Sequence, residues 1–315
     1  MTNKLAVIAI GGNSLIKDER HKSVEDQYEA AGETAQHVAQ MIKDGWNVAI
    51  AHGNGPQVGF ILRRSEIARH ELHELPLDVC GADSQGAIGY ALQQNLYNDF
   101  IEMGIDRPVA TIVTQTEVSA ADPAFQNPSK PIGSFMNEKE ASRRIAVDGW
   151  DCSEDAGRGW RRMVASPRPI RIIEEPVVRI LLNNGVVVIT VGGGGIPVVG
   201  DAEGRLTGTA AVIDKDLASS LLAANLKADI FIISTAVEKV ALNYGKPDQV
   251  WLDRVTLAEA KQYLAEGTHF AKGSMAPKVQ AIIEYLEAGG QHAIVTDPPN
   301  IARALAGETG THFVP

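Results

Sequence analysis

Along the chain, short runs of consecutive apolar residues alternate with longer stretches in which apolar residues return every three or four positions. Leu5–Ile10, Val48–Ala51, Val109–Thr114, Val186–Val191, Ile230–Ser234 and Ala293–Thr296 are nearly continuous in apolar side chains. That pattern predicts strands buried on both faces of a sheet. Helical spacing predicts helices over about Val24–Asp44, Val58–His70, Ser84–Met103, Asp214–Leu226, Leu257–Glu266 and Pro277–Ala288. Alternating strands and helices imply an α/β fold with a mainly parallel central sheet covered on both sides.

One stretch breaks the rhythm. Between about Asp122 and Pro169 lie Pro123, Pro128, Pro131 and Pro167, with Gly133, Gly157, Gly159, Trp150 and Trp160 among them. A βα unit does not tolerate so many breakers, so this stretch is expected to form an insertion or small lobe.

Three of the strands empty into glycine-rich turns. Leu5–Ile10 runs into Gly11-Gly12-Asn13, Val48–Ala51 into His52-Gly53-Asn54-Gly55-Pro56, and Val186–Val191 into Gly192-Gly193-Gly194-Gly195. Glycine permits positive φ and lets backbone N–H groups approach a ligand closely. Where a helix follows, its N-terminus adds unpaired donors for an anion. The chain is therefore expected to hold phosphate or carboxylate groups at the carboxyl ends of parallel strands.

Composition narrows the partners. The 315 residues are 44% hydrophobic and 22% charged, in keeping with a globular protein of substantial core. A net charge of −10 argues against a general nucleic-acid binder, and no apolar stretch of signal or membrane-span length opens the chain. A cytoplasmic protein is expected. Cys80 and Cys152 are the only cysteines, too few for a disulfide framework or a Cys-rich zinc site.

Against an acidic background, anionic ligands need locally placed cations. Lys130 lies between Pro128 and Pro131, which predicts presentation from a stiff loop. Lys215 opens a helix beside Asp216, and Lys278 follows Gly273-Ser274-Met275-Ala276-Pro277 near another helix start. Lysines of this kind neutralise oxygens during phosphoryl transfer, and an aspartate beside two of them can hold both in place. No G-x-x-x-x-G-K-[ST], dinucleotide G-x-G-x-x-G or H-E-x-x-H occurs. His70 and His73 read as a solvated helix face rather than metal ligands, and His52 as a buried hydrogen-bonding residue more than an acid.

At these residues the chain resembles the carbamate kinases of the amino acid kinase superfamily. The matching stretches run in order: Ala9–Asn13, His52–Gly59, Gln85–Tyr90, Asn127–Gly133, Glu154–Trp160, Gly193–Gly200, Val212–Asp216, Asn243–Asp248 and His269–Lys278. The resemblance implies a three-layer αβα sandwich and usually a homodimer. Within a single 1–315 domain, residues to about 185 would hold the small acid and about 186–315 the nucleotide. About 122–169 would form a protruding subdomain. The implied reaction is reversible phosphoryl transfer between carbamoyl phosphate and ADP, giving ATP and carbamate, with Mg²⁺ accompanying the nucleotide.

By matching position, Gly11, Gly12, Asn13, Gly53, Asn54 and Gly55 would line the carbamate and the transferred group. Lys130 and Lys215 would neutralise oxygens, and Asp216 would organise the lysines. Lys278 would bind nucleotide phosphate, with Tyr244 and Met275 near the adenine; no protein metal ligand is expected. Ala9 stands where acetylglutamate-type kinases have lysine, a charge that Lys130 would supply instead. Ser119 and Ala236 also depart from the family pattern, in the loop after the third strand and near the nucleotide. Two other readings stay open: an acyl-phosphate kinase for another small acid, and an idle relative that binds nucleotide.

Overall fold

Residues 5–10 and 47–52 are buried on both faces of the pleat almost throughout, which only the interior of a covered sheet allows. The computed structural model describes residues 4–11, 23–154, 159–271 and 273–315. In chain order these form β1 (Leu5–Ile10), α1 (Val24–Lys43), β2 (Asn47–His52), α2 (Gly55–Ala68), α3 (Leu77–Met103), β3 (Val109–Thr111), β4 (Gln115–Val118), β5 (Lys130–Met136) and α4 (Glu138–Asp148). There follow β6 (Asp151–Glu154), β7 (Trp160–Val164), β8 (Pro169–Ile172), α5 (Glu175–Asn183), β9 (Val187–Ile189), β10 (Ile196–Gly200), β11 (Leu206–Gly208) and α6 (Lys215–Leu226). The chain ends with β12 (Ile230–Ser234), β13 (Ala241–Leu242), β14 (Val250–Trp251), β15 (Arg254–Thr256), α7 (Leu257–Glu266), α8 (Met275–Glu287), β16 (Ala293–Thr296), α9 (Ile301–Leu305) and β17 (Thr311–Val314).

The central sheet has eight strands in the order β15-β17-β16-β12-β1-β2-β9-β3. All neighbours pair in parallel except β16 and β17. Alternate residues of one strand feed two cores. Ala6, Ile8 and Ile10 pack with α1 and α3 on one side, while Val7 and Ala9 pack with α6 and α8 on the other. The result is the three-layer αβα sandwich. A four-stranded sheet, β11-β10-β4-β8, flanks it. No helix among the described residues is long and apolar enough to cross a membrane.

The region of many prolines builds its own antiparallel sheet, β5-β7-β6, with α4. Lys130 is consequently not in a loop: it is the first residue of β5 and pairs with Val164. β5 is an edge strand, where Pro131 costs no ladder bond. This lobe meets α2 backbone to backbone, since a Cβ on Gly59 would stand 2.4 Å from the Gly133 Cα. Buried Arg144 of α4 reinforces the junction, pairing with Glu140 and Asp148 of its own helix and with Glu66 of α2.

Other boundaries moved for local reasons. The helix expected from Val58 begins at Gly55, because Pro56 fits the first turn, where no N–H is needed. The helix expected from Ser84 begins at Leu77. α2 ends at Ala68, so His70 and His73 lie exposed beyond it rather than on a helix face. The strand expected over Val109–Thr114 stops at Thr111; the Thr114 N–H donates to the side chain of Gln85, and its carbonyl accepts from Gln85 and from the Ile196 N–H of β10. The run Val186–Val191 narrows to Val187–Ile189, and Val191 turns left-handed at φ 53°. Ser119 forms a small turn, its hydroxyl accepting from the Ala121 N–H at 3.2 Å.

Candidate active site

β1, β2 and β9 are sheet neighbours, so Gly11 and the glycine turns after β2 and β9 come together at one carboxyl edge. The Gly11 N–H donates to the Ser234 carbonyl at 3.0 Å and the Gly53 N–H to the Ile10 carbonyl at 2.9 Å, stitching the first two turns to the strands beneath. Gly11, Gly53, Asn54 and Gly193 line a cleft of about 250 Å³. The third turn approaches the second so closely that Gly193 (φ 66°) has no room for a side chain. A Cβ there would fall 2.1 Å from Asn54 Nδ2.

Three helices point their N-termini at this cleft. α6 is capped by Asp214, whose Oδ1 accepts from the Asp216 N–H at 2.9 Å. α2 and α8 begin at Asn54 and Ser274, neither of which makes a side-chain cap bond. Pro56 and Pro277 carry no N–H, and the Ala276 N–H donates to the Ala271 carbonyl at 3.1 Å. Each helix therefore offers few first-turn donors, but the helix dipoles still favour an anionic ligand.

The lysines complete the site. Lys130 Nζ donates to Asp214 Oδ2 at 2.8 Å. Asp216, 3% exposed, receives Lys215 Nζ on Oδ1 and Lys278 Nζ, at 3.0 Å, on Oδ2. Three ammonium groups thus share two carboxylates, an excess of one positive charge among the described residues that line the cleft. Burial pushes the Asp214 carboxyl up, but the Lys130 ammonium outweighs it and holds the group well below the usual carboxylate range. Burial pulls the Lys215 ammonium down; Asp216 offsets part of this and Lys278 adds to it. An incoming phosphate would make Lys215 easier to keep charged, so anion binding and lysine protonation reinforce one another.

His52 is 1% exposed, and its Nδ1 donates to the Gly53 carbonyl at 3.1 Å. Burial, aided by the Lys215 charge, pushes the imidazole down to about 4. It is the buried hydrogen-bonding residue expected, and it is neutral at pH 7. The unfolded chain binds a proton at His52 near pH 6.5 that the folded chain refuses, so stability falls as the pH drops from 6.5 towards 4. The expected loss is about 3 kcal/mol. Melting curves across that range should show it, and His52→Asn should flatten the decline; an unchanged decline in the variant would contradict the assignment.

Among the other expected positions, Gly12 and Asn13 lie outside the described residues. Gly55 lines the cleft, as does Ala236, which is exposed there. Met275 is the half-buried first residue of α8. Tyr244 is 64% exposed, packs edge-on against Trp251 and is not among the residues that line the cleft. Sequence reasoning missed Asp214. Its position as N-cap was readable, but its partner Lys130 is 84 residues away. Also missed was Gln85, 1% exposed, which accepts from the Thr114 N–H and donates to the Thr114 and Gly192 carbonyls, fixing the third glycine turn.

The model of the amino acid kinase family matches residues 4–297. The chain belongs to the amino acid kinase family. This kinase is 48% identical over 314 residues to the carbamate kinase of Thermococcus kodakarensis, the match covering 99% of each chain. It is also 48% identical over 314 residues to the carbamate kinase-like protein YahI of Escherichia coli, again across 99% of both. Among solved structures, the carbamate kinase from Giardia lamblia bound to AMP-PNP superposes with a TM-score of 0.92 at 41% identity, covering 99% of each chain.

Proposed function

We propose that this kinase is a carbamate kinase, transferring the phosphoryl group of carbamoyl phosphate reversibly to ADP. The observation that carries the reading is the Lys130–Asp214 and Lys215–Asp216–Lys278 constellation beneath converging glycine turns, in a chain akin to carbamate kinases over its whole length. In the reaction a terminal β-phosphate oxygen of ADP attacks phosphorus. The bond to the carboxyl oxygen of carbamate breaks, and carbamate leaves with the electron pair. No proton need move, and no covalent intermediate is required; carbamate then decomposes to ammonia and carbon dioxide. Catalysis rests on in-line placement and on cations meeting the spread charge of the transferring group.

Within this reading the turns at Gly11 and Gly53–Gly55, with the N-terminus of α2, take the carbamoyl end. Lys130 and Lys215 flank the transferring oxygens. Lys278 and the N-terminus of α8 take nucleotide phosphate, with Met275 and Tyr244 assigned to the adenine side. Asp214 and Asp216 already accept ammonium groups. This donor set suits a Mg²⁺ that arrives on the nucleotide phosphates, so the substrate is written MgADP.

Lys130→Ala tests the reading at its most distinctive point, because no lysine stands at position 9. The Lys130–Asp214 pair is largely buried, so its loss should cost some stability as well, and the melting temperature is read beside turnover. Turnover should fall by about a hundredfold or more. Near-normal kcat would remove Lys130 from the reaction.

A homodimer belongs to the same proposal. Tyr90, Tyr97 and Ile101 are 56%, 61% and 65% exposed along one face of α3, beside the open edge of β3. Such an apolar stripe at a free sheet edge suits a second copy of the chain. Light scattering should give twice the chain mass for the wild type and a monomer for Tyr97→Glu; a dimeric variant would place the interface elsewhere.

A further inference from the structure

Ser84 does not touch the cleft, yet it decides which atom of Asn54 a substrate meets. Its side chain is fully buried on α3. The hydroxyl lies 2.6 Å from the Gly81 carbonyl, which can only accept, so the one hydroxyl proton is committed there. Towards Asn54, 2.8 Å away, Ser84 Oγ is therefore an acceptor only, and Asn54 must turn its NH₂ to it. A flipped amide would set two lone pairs against each other. On another side the Gly193 backbone packs so closely on the same amide that a Cβ there would fall 2.1 Å from Nδ2. One of the two Asn54 Nδ2 protons is thus committed to Ser84, which fixes the way the amide faces. Its Oδ1 accepts no hydrogen bond from the described residues, and it is the amide acceptor left for a ligand in the cleft that Asn54 lines.

We infer that Ser84 is a positioning residue for specificity: it fixes Asn54 Oδ1 as an acceptor that reads an N–H donor on the acyl group of the substrate. The inference rests on the carbamate kinase reading and sharpens it. Carbamoyl phosphate carries an NH₂ where acetyl phosphate carries a methyl group, and the two are otherwise close in size and charge. A carbonyl oxygen held in place rewards the first and is left unpaired by the second. This explains why Asn54, at an N-cap position, makes no cap bond to α2. Its amide has been recruited to another task.

The test compares carbamoyl phosphate with acetyl phosphate as phosphoryl donors to MgADP, in the wild type and in Ser84→Ala. Loss of the hydroxyl frees the amide to present either end, so the ratio of the two kcat/KM values should fall by about tenfold. The change should come from carbamoyl phosphate, while ADP affinity and the melting temperature show that the nucleotide half stays folded. An equal loss for both donors, or an unchanged ratio, would overturn the inference and leave Ser84 a packing residue. Should Ser84→Ala fail to fold, Ser84→Cys keeps the volume with a weaker acceptor and should give a smaller fall in the same ratio; no fall would again overturn it. Failure of the carbamate kinase reading looks different: the wild type itself would make no ATP from carbamoyl phosphate.

Discussion

Lys215→Ala should lower kcat by about a thousandfold or more while leaving the protein folded. Lys215 is the first residue of α6, in the cleft, with its side chain 12% exposed. Burial pulls its charge down, and Asp216 is shared with Lys278, so the two ammonium groups together exceed the charge of their one carboxylate. That residual charge is what developing negative charge on the transferring oxygens would meet. The fold survives because Asp216 keeps Lys278 at 3.0 Å after the substitution, so no carboxylate is stranded. Single-turnover rates with saturating MgADP, beside the melting temperature, check both halves of the expectation. A folded variant with near-normal turnover would remove Lys215 from the chemistry.

Asp216→Ala should behave in the opposite way, losing stability as well as activity. Lys215 and Lys278 both donate to this one carboxylate, which is almost wholly buried. Without it two ammonium groups face each other with little solvent. Removing one partner of a buried ionic group costs about 3–5 kcal/mol. The penalty has a pH signature. The folded variant can escape by releasing a proton from one lysine while the unfolded chain keeps it, so stability of the variant rises with pH. The gap in melting temperature to the wild type should be widest near neutrality and narrow towards pH 10. A constant gap would mean that the two lysines do not depend on Asp216 for their charge.

Much of the frame was legible in the sequence because a strand covered on both faces has to be apolar throughout. Leu5–Ile10, Ile230–Ser234 and Ala293–Thr296 came through with their limits unchanged. β15 and β17 did not, since three- and four-residue strands at the sheet margin, such as Thr311–Val314 with half-buried His312, carry too little apolar signal. The site was legible where chemistry is local: glycines after strands, and Asp216 beside Lys215. It was hidden where contacts depend on the folded topology. Lys130 reaches Asp214 only because β5 lies against the cleft, and Ser84 and Gln85 grip two glycine turns only because α3 runs beneath both. Neither arrangement has any signature in residue spacing.

ATP formation from carbamoyl phosphate, ADP and Mg²⁺, with Lys215→Ala as the matched blank, tests the central claim most directly. The account predicts rapid, Mg²⁺-dependent ATP production by the wild type that the variant loses. Folded wild-type protein that binds ADP yet makes no ATP above the blank would contradict it.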